Sequence, residues 1–202
     1  MPSNQKNTYL YFFIGCVCSS FSAILGGTTF VFTRALVTSL DPLVISFVRY
    51  GLTGLLFLIF FFISFKKINF QKNDLIYMAL IGIFMFTLFP VFMALGLEIT
   101  TSSRAGLLYA TMPIFTIIIA CIFKIETFSL PKLISVILAF SGVYFCLSEF
   151  IDPTAPHPIK GDVLMTIGVI SASVFTVFSG KFLKKYGNVN VLIFTLVSGS
   201  IS

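Results

Sequence analysis

The sequence predicts an all-α membrane protein, a polytopic bundle of transmembrane helices. Six long apolar stretches, separated by short polar breaks, occupy most of the 202 residues, and a seventh begins near Val189. A hydrocarbon core about 30 Å thick requires roughly 20 apolar residues in helical form, because backbone amides in lipid must bond within their own segment. Composition agrees, since 57% of the residues are hydrophobic and only 10% are charged. A soluble domain of this size could not bury so much apolar surface.

Hydropathy gives the limits of each span. The first is interpreted as a retained helix rather than a signal peptide, because further apolar spans follow it instead of a soluble domain. All four cysteines fall within apolar stretches and have no His or carboxylate neighbours, so we predict no disulfide framework, no metal site and no cofactor. The predicted spans are Tyr9–Thr33, Pro42–Phe65, Leu75–Leu97, Ser102–Phe123, Pro131–Ser148 and Gly161–Gly180.

The lysines predict the orientation of the bundle. They gather at alternate ends of successive spans, whereas the opposite ends are mainly acidic, with Arg34 and Lys160 as the basic exceptions. The positive-inside rule places the lysine-bearing ends and the N-terminus in the cytoplasm, as expected for a bacterial inner membrane protein. The net charge of +6 is therefore attributed to the lysines that orient the spans in the membrane, and no nucleic-acid partner is predicted. These lysines are Lys6, Lys66, Lys67, Lys72, Lys124, Lys132, Lys181, Lys184 and Lys185.

A proline-rich break divides the chain into two units. Residues 150–160 contain three prolines, which disfavour helix and indicate a linker. We therefore predict a cytoplasmic N-terminus at 1–8, a first five-helix unit at 9–148, an outer linker at 149–160 and the start of a second unit at 161–202. Because five is odd, a second copy of the unit would enter the membrane from the opposite face, which is how inverted repeats arise in transporters.

Enzyme chemistry is not predicted. The single histidine, His157, lies between two prolines in a loop, and no carboxylate pair or Ser/His/Asp set can be assembled at membrane depth. A retinal-type receptor would need a lysine in its last helix, and the stretch from Val189 to Ser202 has none. A channel-like or receptor-like bundle nevertheless stays open as an alternative to a transporter.

Four charges share the outer third of the predicted bundle. Arg49 lies about two turns into the second span, where a lipid-facing guanidinium costs of order 2.5 to 3.5 kcal/mol, so it is expected to face a cavity. Arg34, Glu98 and Arg104 lie at the outer ends of other spans. Together they could bind an anionic group. Alternatively, Arg34 and Arg104 extend to the headgroups while Glu98 pairs with one of them.

Aromatic, helix-breaking and small residues complete the candidate site. Pro90 and Pro113 interrupt the third and fourth spans and are predicted to kink or gate them. Glycines are expected to permit close helix packing, at Gly26, Gly27, Gly51, Gly54, Gly106 and Gly142. The predicted substrate-binding residues are Arg49, Tyr50, Phe89, Tyr109 and Arg104.

The pattern resembles the EamA type of the drug/metabolite transporter superfamily. The resemblance rests on Gly27–Phe30, on Pro42 followed by Arg49, on Met93–Leu95, and on Ala105–Pro113. Glu126 and the Ala139–Gly142 segment continue it, so that it covers residues 9–148 and the start of a second repeat. One departure is that Gly26 lies in the region where members usually carry a tryptophan.

This resemblance implies a secondary transporter that exports small metabolites such as amino acids by alternating access. It also implies ten spans in two inverted repeats, whereas this chain stops within its seventh, so transport by the chain alone is not expected. Glu126 is similar to an acidic residue that ends the fourth helix, and we expect a structural charge there, paired with Lys124 or Lys132 or capping the fifth helix. The alternatives are a non-transporting remnant, or a subunit completed by a dimer mate or a second-half partner.

Overall fold

The computed structural model describes residues 3–64, 70–127, 129–149 and 156–201. Within these ranges every regular element is helical, and six stretches are long and apolar enough to cross a membrane. The prediction of an all-α polytopic membrane protein is therefore confirmed. The helices are α1 (Ser3–Val37), α2 (Pro42–Ser64), α3 (Lys72–Ile83), α4 (Phe89–Ile99), α5 (Ser102–Tyr109), α6 (Met112–Ile122), α7 (Leu130–Glu149), α8 (Pro158–Tyr186) and α9 (Asn188–Ile201).

Two of the predicted spans consist of two helices each. A π-helical turn at Phe84–Leu88 joins α3 to α4 in the span Lys72–Ile99, and α5 and α6 share the span Ser102–Ile122. The sixth span is longer than predicted at both ends, since α8 begins at Pro158, a residue whose fixed φ suits a first helical turn. Part of the predicted linker, residues 150–155, lies outside the described residues.

Helix α8 lies at the centre of the bundle. It contacts α3, α4, α5, α6 and α9. Its Met165, Val169 and Ala172 are fully buried, and Met165 and Ala172 belong to the same apolar core as Phe89, Met93 and Leu97 of α4. By contrast, no residue of α7 between Leu130 and Leu147 is buried. The core of the described bundle is therefore built around the helix that follows the proline-rich break.

Close backbone approach between α4 and α8 occurs at two facing glycines. A Cβ atom added to Gly161 would lie 2.6 Å from Cβ of Thr100 and 3.0 Å from the carbonyl oxygen of Gly96. A Cβ atom added to Gly96 would likewise lie 2.9 Å from Met165. A side chain at either position would push the helices apart. In lipid, helix association depends on such close packing, because burying apolar surface supplies little drive there.

The expected close packing was wrong at five of the six glycines. A Cβ atom added to Gly26, Gly27, Gly51, Gly106 or Gly142 would meet nothing within 4 Å, whereas Gly54 does face a neighbour, Ser200 of α9. The close contacts instead lie on helix pairs that are distant in sequence, because sequence spacing alone does not show which helices become neighbours. Gly82 and Gly199 make a second such contact, between α3 and α9.

Charged pairs hold α8 at both ends. At the N-terminal end of α8, the Arg104 guanidinium of α5 forms an ion pair with Asp162, and the two side chains are only 10% and 15% exposed. Arg104 also donates to the carbonyl of Leu147 in α7 at 2.8 Å, and Thr100 donates to Asp162 at 3.2 Å. This set of contacts joins four helices.

The lysine-rich end of α8 is fastened to the start of α3. Lys185 Nζ lies 2.6 Å from Asp74, whose carboxylate also accepts a hydrogen bond of 2.7 Å from the Tyr186 hydroxyl. Lys185 further donates to Gln71 at 2.7 Å. The Lys185 side chain is 45% exposed, so this end is more open to solvent or headgroups than the Arg104 end. Helix α8 is thus fixed against the third span along its whole length.

We predict that Gly161→Ala destabilises the fold whereas Gly142→Ala does not. The new methyl group at 161 would overlap Thr100, and overpacking of this kind costs about 1–3 kcal/mol. Position 142 is the matched control, because a Cβ atom there meets nothing within 4 Å. Thermal unfolding of the purified variants in detergent measures the difference. Equal midpoints for the two variants would contradict close packing of α4 on α8.

We also predict that Asp162→Asn lowers the free energy of unfolding by about 3–5 kcal/mol, because it leaves a buried guanidinium without its countercharge. Arg104→Gln combined with Asp162→Asn should recover part of this loss. Lys132→Gln is the control, because its ion pair with Glu126 is exposed and such pairs contribute about 0–1 kcal/mol. A similar loss for Lys132→Gln and Asp162→Asn would argue against a structural role of the buried pair.

Candidate functional site

The third span changes its helical geometry just before Pro90. The backbone N–H of Phe89 donates to the carbonyl of Phe84, five residues earlier, in the π-helical turn. A proline inside a helix removes one backbone donor and its ring clashes with the preceding turn, and a wider π turn is one way to accommodate both effects. Ser46 of α2 donates to the Pro90 carbonyl at 3.2 Å. The change in geometry therefore lies where α2 packs on the span.

The fourth span is broken immediately before Pro113. Helix α5 ends at Tyr109, residues 110 and 111 form a turn, and α6 starts at Met112 with the proline in its first turn. The Thr111 hydroxyl donates to the carbonyl of Leu108 at 2.5 Å. This side chain satisfies a carbonyl at the end of α5, which stabilises the break within an apolar environment.

Three aromatic rings meet between these two interruptions. Tyr109 lies 5.7 Å from Phe89 and 5.3 Å from Phe30 of α1, measured between ring centroids. These distances are typical of interacting aromatic pairs. The structure thus brings together two of the predicted site residues, Phe89 and Tyr109, and adds Phe30.

Tyr109 and Phe30 border a cavity of about 910 Å³ between α1 and α5. Small and hydroxyl-bearing residues line most of it, including Ser22, Gly26 and Gly106. Gly27 also lines the cavity. Gly26, Gly27 and Gly106, which make no close helix contact, are therefore part of its wall. The volume lies within the range of about 300–1,000 Å³ that is usual for small-molecule sites. We call this space the α1–α5 cavity.

Arg49 lies on the other side of α1, in a groove of about 330 Å³ between α1 and α2. Its guanidinium donates to the hydroxyls of Thr33 at 3.4 Å and Thr29 at 3.3 Å, and lies 5.3 Å from the ring centroid of Tyr50. The rest of the lining is mainly apolar, including Phe32 and Val48. We call this space the α1–α2 groove.

Tyr50 points away from that groove, toward the third span. Its ring lies 6.3 Å from Phe86, and both residues line a smaller cavity of about 230 Å³ together with Pro90. Three of the predicted substrate-binding residues, Arg49, Tyr50 and Tyr109, therefore line three different cavities. Phe89 and Arg104 line none of these three.

The remaining charges have separate partners. Arg34 donates at 2.6 Å to each of the backbone carbonyls of Leu97 and Glu98, at the C-terminal end of α4. The Glu98 residue is exposed. The Arg104 donors are occupied by Asp162 and Leu147. The four outer charges thus do not converge on a single point.

Glu126 lies at the opposite end of the bundle, where its carboxylate accepts a hydrogen bond of 2.7 Å from Lys132. Lys132 also donates to the carbonyl of Thr127 at 3.1 Å. Lys132 was one of the two lysines that the sequence suggested as its partner. The contact ties the loop after α6 to the first turn of α7.

Several residues of these sites were missed from the sequence. Asp162 and Asp74 each form an ion pair with a residue far away in the chain. Both lie within about one turn of the start of an apolar span, and that position could have indicated an ion pair. Thr29 and Thr33, four residues apart and hence on one face of α1, could have been recognised as partners for Arg49. No cluster of metal-ligating residues occurs in the part of the chain that the structure describes.

Comparison with known proteins identifies the family of the chain. Residues 13–148 match the EamA-like transporter family. The chain is 29% identical over 175 residues to an uncharacterized transporter of Archaeoglobus fulgidus. The matched region covers 87% of the chain and 60% of the relative. It is 25% identical over 180 residues to one of Buchnera aphidicola subsp. Schlechtendalia chinensis, covering 89% of the chain and 58% of that relative.

The chain therefore spans about 60% of the length of these relatives. No solved structure gives a significant match. The family match extends over more than half of the sequence and coincides with the helices that form the cavities described above. The chain therefore belongs to the EamA-like transporter family and is a multi-pass α-helical membrane protein.

Proposed function

We propose that the whole protein is a secondary transporter that exports small metabolites such as amino acids across the bacterial inner membrane by alternating access. The observation that carries this proposal is the α1–α5 cavity, about 910 Å³ in volume and bordered by Tyr109, in a chain of a transporter family. Its wall combines hydroxyl groups with glycines that leave space for a solute. A small polar molecule could be accommodated there without loss of all its hydrogen bonds.

Alternating access requires one part of the bundle to move relative to another. Helix α8 is held to the third span by charged contacts at both ends and by the Gly96–Gly161 contact. In the described part of the chain helix α1 is mostly exposed, and its main contacts are with α2, α4 and α5. We therefore infer that α1 moves against the unit formed by α2, α8 and the third span. The interruptions before Pro90 and Pro113 would serve as its hinges or gates.

The proposed orientation places the N-terminus and the lysine-bearing ends in the cytoplasm. The exposed Lys184 and Lys185 close to the start of α3 support this, because they lie at the same end as Lys72. Residues 9–148 would form the first five-helix repeat, and 161–202 the start of the second. The third span and α8 run antiparallel, since the N-terminal end of each lies against the C-terminal end of the other.

We predict that Gly106→Leu reduces transport by the intact protein at least about tenfold, because its side chain would fill the α1–α5 cavity. Folding should be preserved, since a Cβ atom at this position meets nothing within 4 Å. Counterflow uptake of labelled amino acids into vesicles measures the rate.

Gly142→Leu is the matched control for this experiment. Gly142 is equally free of close neighbours but lies on α7, away from the α1–α5 cavity. Its transport rate should equal that of the parent protein. If Gly106→Leu folded normally and transported as fast as the control, this cavity would not be the route of the solute.

We further predict that Lys160→Cys reacts with a membrane-impermeant maleimide in intact cells, whereas Lys184→Cys reacts only after permeabilisation. Both lysines are exposed and lie at opposite ends of α8. The measurement uses a background in which the four native cysteines are replaced, and retained transport by that background is its control. Labelling of both positions from the same side would refute the orientation.

A further inference from the structure

The arginines of the described bundle differ in how their charge is compensated. Arg104 is paired with a carboxylate, and Arg34 donates to two backbone carbonyls at the end of α4. Arg49, in contrast, has no carboxylate within ion-pair distance among the described side chains. Its guanidinium contacts two threonine hydroxyls and an aromatic ring. An arginine at this depth therefore retains an uncompensated charge.

The depth of Arg49 makes that charge costly. It follows the start of α2 at Pro42 by seven residues, which corresponds to about 10 Å along the helix axis. Thr29 and Thr33, which accept from it, lie one to two turns from the end of α1 at Val37. Ionisable residues within membrane spans are usually paired or mark the path of a substrate. A countercharge supplied by a ligand would offset this cost.

The hydrogen bonds of Arg49 leave room for such a ligand. Both threonine contacts, at 3.4 and 3.3 Å, are longer than the usual range of about 2.7–3.2 Å. A carboxylate could accept two shorter, charge-assisted bonds from the planar fork of the guanidinium. The threonines would then orient the side chain rather than compete for it.

The lining of the groove around Arg49 indicates the polarity of the rest of the ligand. Its wall beyond the guanidinium is apolar, with Phe32, Leu36, Val44 and Val48, and it contains no aspartate or glutamate. The α1–α5 cavity on the other side of α1 likewise has no acidic residue in its lining. These two cavities thus offer a cationic partner for a carboxylate but no carboxylate for an ammonium group.

We propose that Arg49, oriented by Thr29 and Thr33, is a binding site for the carboxylate of a small solute whose apolar body lies in the α1–α2 groove. This inference rests on the proposed transport function and specifies the substrate class. It adds a carboxylate-binding space that is separate from the α1–α5 cavity. The carboxylate is the recognised group, and the ammonium group of an amino acid contributes nothing to affinity. A deaminated acid therefore binds as well as the corresponding amino acid.

The absence of tryptophan from the sequence permits a direct binding measurement. Phe32→Trp places a single tryptophan in the α1–α2 groove, and Leu138→Trp places one on the exposed surface of α7 as a control. The purified chain is titrated in phosphatidylcholine nanodiscs with leucine, 4-methylpentanoate, leucinamide and 3-methylbutylamine. These probes share an aliphatic body and differ in the two polar groups.

Leucine and 4-methylpentanoate are expected to change the Phe32→Trp fluorescence with dissociation constants within about threefold of each other. The two probes without a carboxylate should give no change, and Leu138→Trp should respond to none. Arg49→Gln should weaken binding at least about tenfold, and Arg49→Lys, which keeps the charge without the fork, should weaken it less. Circular dichroism and size-exclusion profiles establish that these variants fold.

Several outcomes would overturn the proposal. One is that leucinamide binds as tightly as leucine, and another is that leucine binds whereas 4-methylpentanoate does not. The proposal also fails if a folded Arg49→Gln variant binds as tightly as the parent, or if neither acid gives a response up to on the order of 10 mM. A second arm replaces half of the lipid with phosphatidylglycerol. If the response to both acids disappears there, a lipid anion rather than a free solute occupies the groove, and the proposal fails.

Transport measurements separate this proposal from the proposed function. Saturable counterflow of a solute that lacks a carboxylate, unchanged by Arg49→Gln, would refute the carboxylate site and leave transport intact. Carboxylate binding at Arg49 without counterflow of any carboxylate by the intact protein would support the site and refute transport.

Discussion

The ion pair between Arg104 and Asp162 is the interaction on which packing around the N-terminal end of α8 depends. Both side chains are largely buried, so each charge needs the other, and losing one partner leaves a desolvated charge. The same guanidinium reaches the Leu147 carbonyl, and Thr100 donates to the same carboxylate. These contacts hold α8 in the register in which Gly161 faces Gly96, and the buried Met165 and Ala172 then lie against α4.

The contacts that fix α8 coexist with irregular backbone in the third and fourth spans. The two are compatible because they lie in different parts of the bundle. The interruptions before Pro90 and Pro113 lie in the middle of their spans, away from the ion pairs at the ends of α8. There the freed backbone groups are satisfied locally, by the π turn and by the Thr111 hydroxyl. The aromatic contacts of Tyr109 lie between the two breaks, next to the α1–α5 cavity.

Three arginines that look equivalent in the sequence have three different environments. Arg34 terminates a helix by binding its carbonyls, Arg104 joins helices through a carboxylate, and Arg49 contacts hydroxyls in an apolar groove. Guanidinium groups suit all three roles, because they present several donors in a rigid plane and stay charged. Their chemistry therefore follows from the acceptors that the fold places around them, and not from residue type or depth alone.

The sequence by itself determined that the chain crosses a membrane repeatedly, where the spans lie, and that Arg49 would avoid lipid, since these follow from local hydropathy and the cost of burying charge. It also located Pro90 and Pro113, whose effect on a helix is local. Only the tertiary structure decided that Asp162 is the partner of Arg104, that Gly96 and Gly161 are the close contact, and that Gly106 borders a cavity. Those facts depend on which helices become neighbours, and apolar spans in lipid carry almost no sequence signal for that choice, because every face of them is hydrophobic.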